Sequence, residues 1–263
     1  MTASITDALA TLVTFSNATD SPLLYLIVGV APCFLWLLFY LFQDHHPEPK
    51  KEILSVFILG AAMTWPAVWL EKALIIGFNG FELPPFITIL AIDIIAVGLV
   101  EEFFKYAAVW TKEQVINENY QLDEPVDFVI YMVVSALGFA TVENLLFLLM
   151  PDTSPLLTRS LVRSLTAVLL HTLTSGILGY YMAMTFCHRE RKISLLVTGF
   201  AIISFLHGLY NFSIMKSETN LEFLLVALAI IFFMACTLYL QFQHLSRMKS
   251  VCDMKISPKR RKP

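Results

Sequence analysis

The sequence predicts an all-α, polytopic transmembrane helix bundle of about seven spans. Three observations carry that prediction. Of the 263 residues, 57% are hydrophobic and only 15% charged. The mean hydropathy is +0.69, far from a soluble composition. Apolar runs of about 20 residues, the length needed to cross the hydrocarbon core, recur along the chain.

Residues 1–21 form a polar-mixed N-terminal segment without a basic n-region, so a cleaved signal peptide is not expected. The first span, 22–43, then doubles as an uncleaved anchor. Further spans are read at 53–76, 86–110, 128–150, 163–186, 193–214 and 221–245, each bounded by proline or charge. Between the first two, "FQDHHPEPKKEI" is too rich in proline to continue a helix, and His45 and His46 there read as solvated. The longest connection, "TKEQVINENYQLDEPVD", reads as a solvated acidic loop ended by Glu124-Pro125. Residues 22–246 thus make one membrane domain, followed by a basic tail, 247–263.

Lys and Arg set the orientation, because cytoplasmic loops retain positive charge. Thirteen fall on one side and three, Arg159, Arg163 and Lys216, on the other. The N-terminus is therefore expected outside and the C-terminus in the cytoplasm. The tail "KISPKRRKP" reads as a topology signal beside anionic membrane lipid rather than a nucleic-acid patch. Cys33 and Cys236 fall in spans, and Cys187 and Cys252 on the cytoplasmic side, where thiols stay reduced. No internal repeat is visible, and no feature sets an oligomeric state.

The chemistry lies in polar residues inside the spans: Asp93, Glu101, Glu102 and Lys105 on the third, Glu143 and Asn144 on the fourth, His171 on the fifth, His207 and Asn211 on the sixth. Ionisable groups at such positions are costly and mark function by default. Lys105 lies three and four residues from Glu102 and Glu101, so it reaches both as counter-charge. Helix–helix bridging is the structural alternative, but two histidines and three carboxylates on four successive helices exceed what packing requires. Asp93, and Glu71 with Lys72, lie near helix ends, where snorkelling and local pairing account for them.

At about 1.5 Å per residue, Glu143, His171 and His207 fall roughly 10–13 Å below the outer edge, and Glu101 and Glu102 roughly 22–24 Å. Two imidazoles and a carboxylate make a divalent-metal ligand set, with a further glutamate to activate water. Burial could equally raise a glutamate into a metal-free general base. Asn211, one turn from His207, is placed to stabilise an oxyanion or to make an ordinary hydrogen bond. The sequence has no HExxH, GxSxG or P-loop pattern.

These residues resemble the PrsW intramembrane proteases, relatives of the group containing the CAAX-processing and bacteriocin-immunity membrane proteases. "DHHPEPKKE" at 44–52 resembles the family's Glu-Pro turn, and "VEEFFKY" at 100–106 its EExxK motif. The stretch at 123–147 is similar to the one ending in FxxxEN, here Phe139, Glu143 and Asn144. "RSLTAVLLHTLTSGILGYYM" at 163–182 resembles the third motif, through His171 and Gly176, and "LHGLYNF" at 206–212 the last. Leu170 stands where many members have Gly or Pro nearby, and Asn211 where Asp is usual.

The resemblance implies proteolysis of a transmembrane protein substrate; in the family's best-known member this is an anti-sigma factor cut on its extracytoplasmic side. The outer-half depth of Glu143, His171 and His207 agrees with such a cut. The expected site has Glu101, Glu102, His171 and His207 as catalytic residues. Glu143, His171 and His207 hold a divalent metal, with zinc expected, and Lys105, Asn144 and Asn211 support them. The expected location is the bacterial cytoplasmic membrane. The competing classes are a proton-coupled transporter or receptor, and a pseudo-protease that binds substrate without cutting.

Overall fold

The structure is a computed structural model that describes residues 22–42, 48–112, 124–150, 156–217 and 219–253. The expectations for residues 1–21, His45, His46 and most of the acidic loop lie outside these residues. Among the described residues every regular element is helical. They are α1 (Pro22–Leu41), α2 (Lys50–Asn79), α3 (Pro85–Ala91), a π-helical segment (Ile92–Leu99), α4 (Val100–Thr111), α5 (Pro125–Leu148), α6 (Leu156–Leu165), α7 (Ala167–Cys187), a 3₁₀ turn (Arg189–Arg191), α8 (Lys192–Ser217) and α9 (Glu222–Asp253).

Six helical stretches are long and apolar enough to cross a membrane, one of them formed by α6 and α7 together. The seventh expected span, 86–110, is an unbroken helical run from Pro85 to Thr111 whose middle is π-helical. It carries the ionisable residues Asp93, Glu101, Glu102 and Lys105. The last helix runs to Asp253, seven residues into the segment read as tail.

The bundle is organised around α5, which is buried on nearly every face and contacts α1, α2, α4, α7 and α9. Its start follows from local chemistry. Pro125 opens the first turn, the Asp127 carboxylate accepts the Glu124 N–H at 2.7 Å, and a reciprocal capping box closes the end. Glycine sets two crossings. Gly60 on α2 and Gly138 on α5 each lie against a backbone carbonyl of the other helix, those of Ser135 and Phe57, so a methyl group at either would collide. Where the π segment crosses α8, a Cβ at Gly208 would lie 2.5 Å from the Ile94 Cα, and one at Gly98 would lie 2.8 Å from the Ser204 carbonyl oxygen. Small residues let backbones approach in this way between membrane helices.

Outward-facing positions of α1, α2 and α9 carry exposed Leu, Ile, Phe and Trp, among them Leu35, Trp69 and Phe232. One end of the bundle is tied by polar contacts. Lys112 pairs with Glu52 at 2.7 Å, and the Tyr131 hydroxyl donates to Glu48 at 2.7 Å. The Glu-Pro turn therefore contributes to holding α2, α4 and α5 together. Cys33 and Cys236 are free, as expected, whereas Cys187 is disulfide-bonded. Bonding follows the approach of sulfurs in space, which spacing along the chain does not give.

Candidate active site

The helix order delivers four elements to one buried point. Glu101, Glu102 and Lys105 come from the first two turns of α4, Glu143 from the last two of α5, His171 from the second turn of α7 and His207 from the middle of α8. The depth difference expected between the glutamates and histidines is absent, since Glu102 Oε1 lies 3.0 Å from His207 Nδ1 and Glu101 Oε2 3.5 Å from His171 Nδ1. The run from Pro85 begins in exposed turns. Its π-helical middle also winds more residues into each turn, so an α-helical count overstates depth.

The two adjacent glutamates have different surroundings. Glu102 is fully buried, and its Oε1 accepts from Lys105 at 2.9 Å, Thr174 at 2.8 Å and His207 Nδ1 at 3.0 Å. Its Oε2 accepts from Ser175 at 2.9 Å. Among the described residues Glu101 accepts only from Lys105, at 3.2 Å on Oε2. That same oxygen stands 3.5 Å from His171 Nδ1 and 3.6 Å from His207 Nε2.

The partners of the ring nitrogens give each its role. His207 Nδ1 donates to Glu102, leaving the Nε2 lone pair toward Glu101. Lys105 donates to His171 Nδ1 at 2.7 Å, and His171 Nε2 donates to Glu143 Oε2 at 2.6 Å. Each imidazole is thus backed by one carboxylate and turns its acceptor nitrogen to Glu101, the arrangement that orients histidine ligands in metal sites. Phe139 walls the group, its ring 4.8 Å from the Lys105 ammonium.

Glu101, His171 and His207 offer donor atoms all within 4.8 Å of one another, enough to hold a metal ion. Ligands at zinc distances around a tetrahedral ion stand about 3.4 Å apart, and the two separations to Glu101 Oε2 lie within a few tenths of that. The donor set suits a dication once the Lys105 ammonium, 2.7 Å from His171 Nδ1, gives way. Glu143, expected as a ligand, is not in that trio. It lies at the edge, its side chain 31% exposed, between His171 and Arg163, which it meets at 3.1 Å.

Asn144 supports the site indirectly, accepting from Arg163 Nε at 2.6 Å. Asn211 is half-buried on the turn after His207 and makes no hydrogen bond among the described residues. Arg163, Thr174 and Ser175 were not foreseen. Arg163 had been counted as an outer-loop charge, although it lies eight residues, about two turns, before His171. Thr174 and Ser175 lie three and four residues after His171, the spacing that puts hydroxyls on the histidine's face. Glu71 departs from the expected snorkelling and local pairing: Lys72 is exposed, while Glu71 turns inward. Adjacent helical residues do not face each other, so the pair cannot form on one face.

Residues 48–238, a range that includes every residue of this cluster, match the PrsW family intramembrane metalloprotease profile. The chain is 30% identical over 200 residues to Protease PrsW of Oceanobacillus iheyensis, covering 76% of this chain and 86% of that protein. It is 29% identical over 191 residues to Protease PrsW of Geobacillus kaustophilus, covering 72% and 79%. For Protease PrsW of Bacillus subtilis the identity is 28% over 190 residues, covering 70% and 79%. No solved structure matches the chain. With its helices long enough to span a bilayer and its motifs in family order, this chain belongs to the PrsW family of intramembrane metalloproteases and is an integral membrane peptidase.

Proposed function

We propose that this protease hydrolyses a peptide bond of a transmembrane protein substrate, in or just outside the outer half of the bacterial cytoplasmic membrane, with Glu101 as the working carboxylate. The observation that carries the reading is the contrast between the two glutamates. Glu102 is held by four donors, whereas Glu101 Oε2 faces the acceptor nitrogens of both imidazoles. An anti-sigma-factor-like substrate follows from the family resemblance and orientation from the charge asymmetry, with the membrane domain carrying the whole site.

Glu101, His171 and His207 would hold the divalent metal, zinc by its donor chemistry. A bound dication supplies a water of lowered pKa and polarises the scissile carbonyl. Glu102 and Glu143 orient the two imidazoles, Lys105 balances the buried carboxylates, and Asn144 holds Arg163 against Glu143. One observation favours a second, metal-free reading. The Lys105 ammonium already reaches Glu101, Glu102 and His171 within 3.2 Å, among the same donor atoms. In that version Glu101 takes the proton from water directly and the Lys105 ammonium, which reaches the same point, polarises the carbonyl.

Co-expression with a panel of single-span substrates tests the assignment. Wild type is expected to cut, and Glu101→Gln, Glu102→Gln and His171→Ala to leave substrate intact; cleavage persisting in all three would remove the site from the reaction. Metal analysis of purified protein separates the two chemistries. A stoichiometric ion lost in His171→Ala supports the metal reading, and an active, metal-free preparation supports the other.

A further inference from the structure

Glu71 is a buried carboxylate for which the proposed chemistry has no use. Its Oε1 is inaccessible and has no hydrogen-bond partner. It lies on the face of α2 that carries Ala67 and Leu74, which packs against Val100 and Phe104 of the catalytic run and Phe139 of α5. Phe139 is the ring that walls Lys105 and His171. Glu71 is also an electrostatic neighbour of Glu101, Glu143 and Lys105. Its own helix offers no compensating cation on this face, since Lys72 points outward.

A buried polar oxygen without a partner is costly, and a helix would ordinarily lose it. Substrate supplies a reason to keep it. To bring a peptide bond to Glu101, a membrane segment must leave its helical form, and its amide N–H groups then lose their partners where no water replaces them. Glu143 is the most exposed member of the cluster, and Glu71, itself half-buried, is its electrostatic neighbour.

We infer that Glu71 is a substrate-positioning residue whose carboxyl group, its Oε1 closed off in this structure, turns about its last side-chain bond to accept a backbone N–H of the unwound substrate segment next to the scissile bond. This rests on the proteolytic reading above. It predicts that Glu71 is retained at the expense of stability. Removing it weakens substrate binding without weakening the fold, the opposite of what a structural carboxylate would do.

The test uses the full-length protein in detergent and a single-span reporter peptide carrying a fluorophore and a quencher. Glu71→Leu removes the acceptor and is expected to raise KM up to about tenfold, the worth of an ordinary hydrogen bond, with kcat little changed. Glu71→Gln keeps an acceptor oxygen and should hold KM near wild type. Both variants should melt at or above the wild-type temperature. The same peptide is titrated onto Glu101→Gln and onto Glu101→Gln with Glu71→Leu, so that affinity is read without turnover, and the double variant should bind up to about tenfold more weakly. Equal affinity and KM with and without Glu71, or a fall in melting temperature that tracks the loss of activity, overturns the inference. Failure of the proteolytic reading looks different: wild type and Glu101→Gln would leave the reporter equally uncut, or cut it equally.

Discussion

The polar tie between Glu52 and Lys112, at one end of α4, and the cluster around Glu101, in its first turns, share one helix inside one apolar bundle, yet they differ in balance. At the tie the Lys112 ammonium meets the Glu52 carboxylate at 2.7 Å. In the cluster the carboxylates of Glu101, Glu102 and Glu143 outnumber the two fixed cations, Lys105 and Arg163. A tie needs only to cancel desolvation, and matched charges do so. A surplus of negative charge and an acceptor turned toward two imidazoles are poor glue, and they suit a site that must take up a cation, a water or a substrate.

Substitutions at the two regions should separate along these lines. The largest effects fall on the paired glutamates. Glu101→Gln is expected to lower kcat/KM by about 10²–10⁴-fold, the usual worth of a working acid–base group, with little change in melting temperature. Glu102→Gln should also abolish cleavage, but by loosening the fold. It leaves Lys105 without its closest carboxylate, and breaking a buried pair costs about 3–5 kcal/mol. Thermal melts beside peptide assays would show the two effects on different axes, and equal destabilisation by both variants would erase the distinction.

A smaller effect is expected one contact outward. Glu143→Gln keeps the shape but weakens the partner of His171 Nε2, and loss of such a partner typically lowers affinity for a metal, or activity, by about 10–100-fold. A metal titration read in parallel with turnover checks it. The smallest change in activity belongs to the tie: Lys112→Met should lower the melting temperature while leaving kcat/KM of the folded protein unaltered. A loss of turnover there with the fold intact would show that the two regions are coupled.

The spans were legible because a run of about 20 apolar residues has one physical reading. The site was legible because Glu101, Glu102, Lys105, His171 and His207 are anomalies against that background. Helix faces were harder to read. In a soluble helix a polar stripe marks the outside, but α2 and α5 are apolar all round, so no periodicity distinguished the inward Glu71 from the outward Lys72. Arg163's part in the site was hidden for a related reason, since near a helix end an arginine that orients a carboxylate looks the same as one that sets topology. The π segment left no mark at all, because a wider hydrogen-bond ladder needs no particular residue types.

That segment makes the site sensitive to the number of residues in the chain as well as to their identity. Each residue of an α-helix advances the face by about 100°. Deleting one residue from Ile92–Leu99 would let the ladder close as an ordinary α-helix, the wider turn having held that extra residue with the flanks in register, and deleting a second would swing Glu101 and Glu102 by about that angle relative to the α8 crossing. The helix would survive, still long enough and apolar enough, with its two glutamates aimed away from His171 and His207. Insertions and deletions in this stretch therefore act on catalytic register, where a substitution that keeps the same length would pass unnoticed.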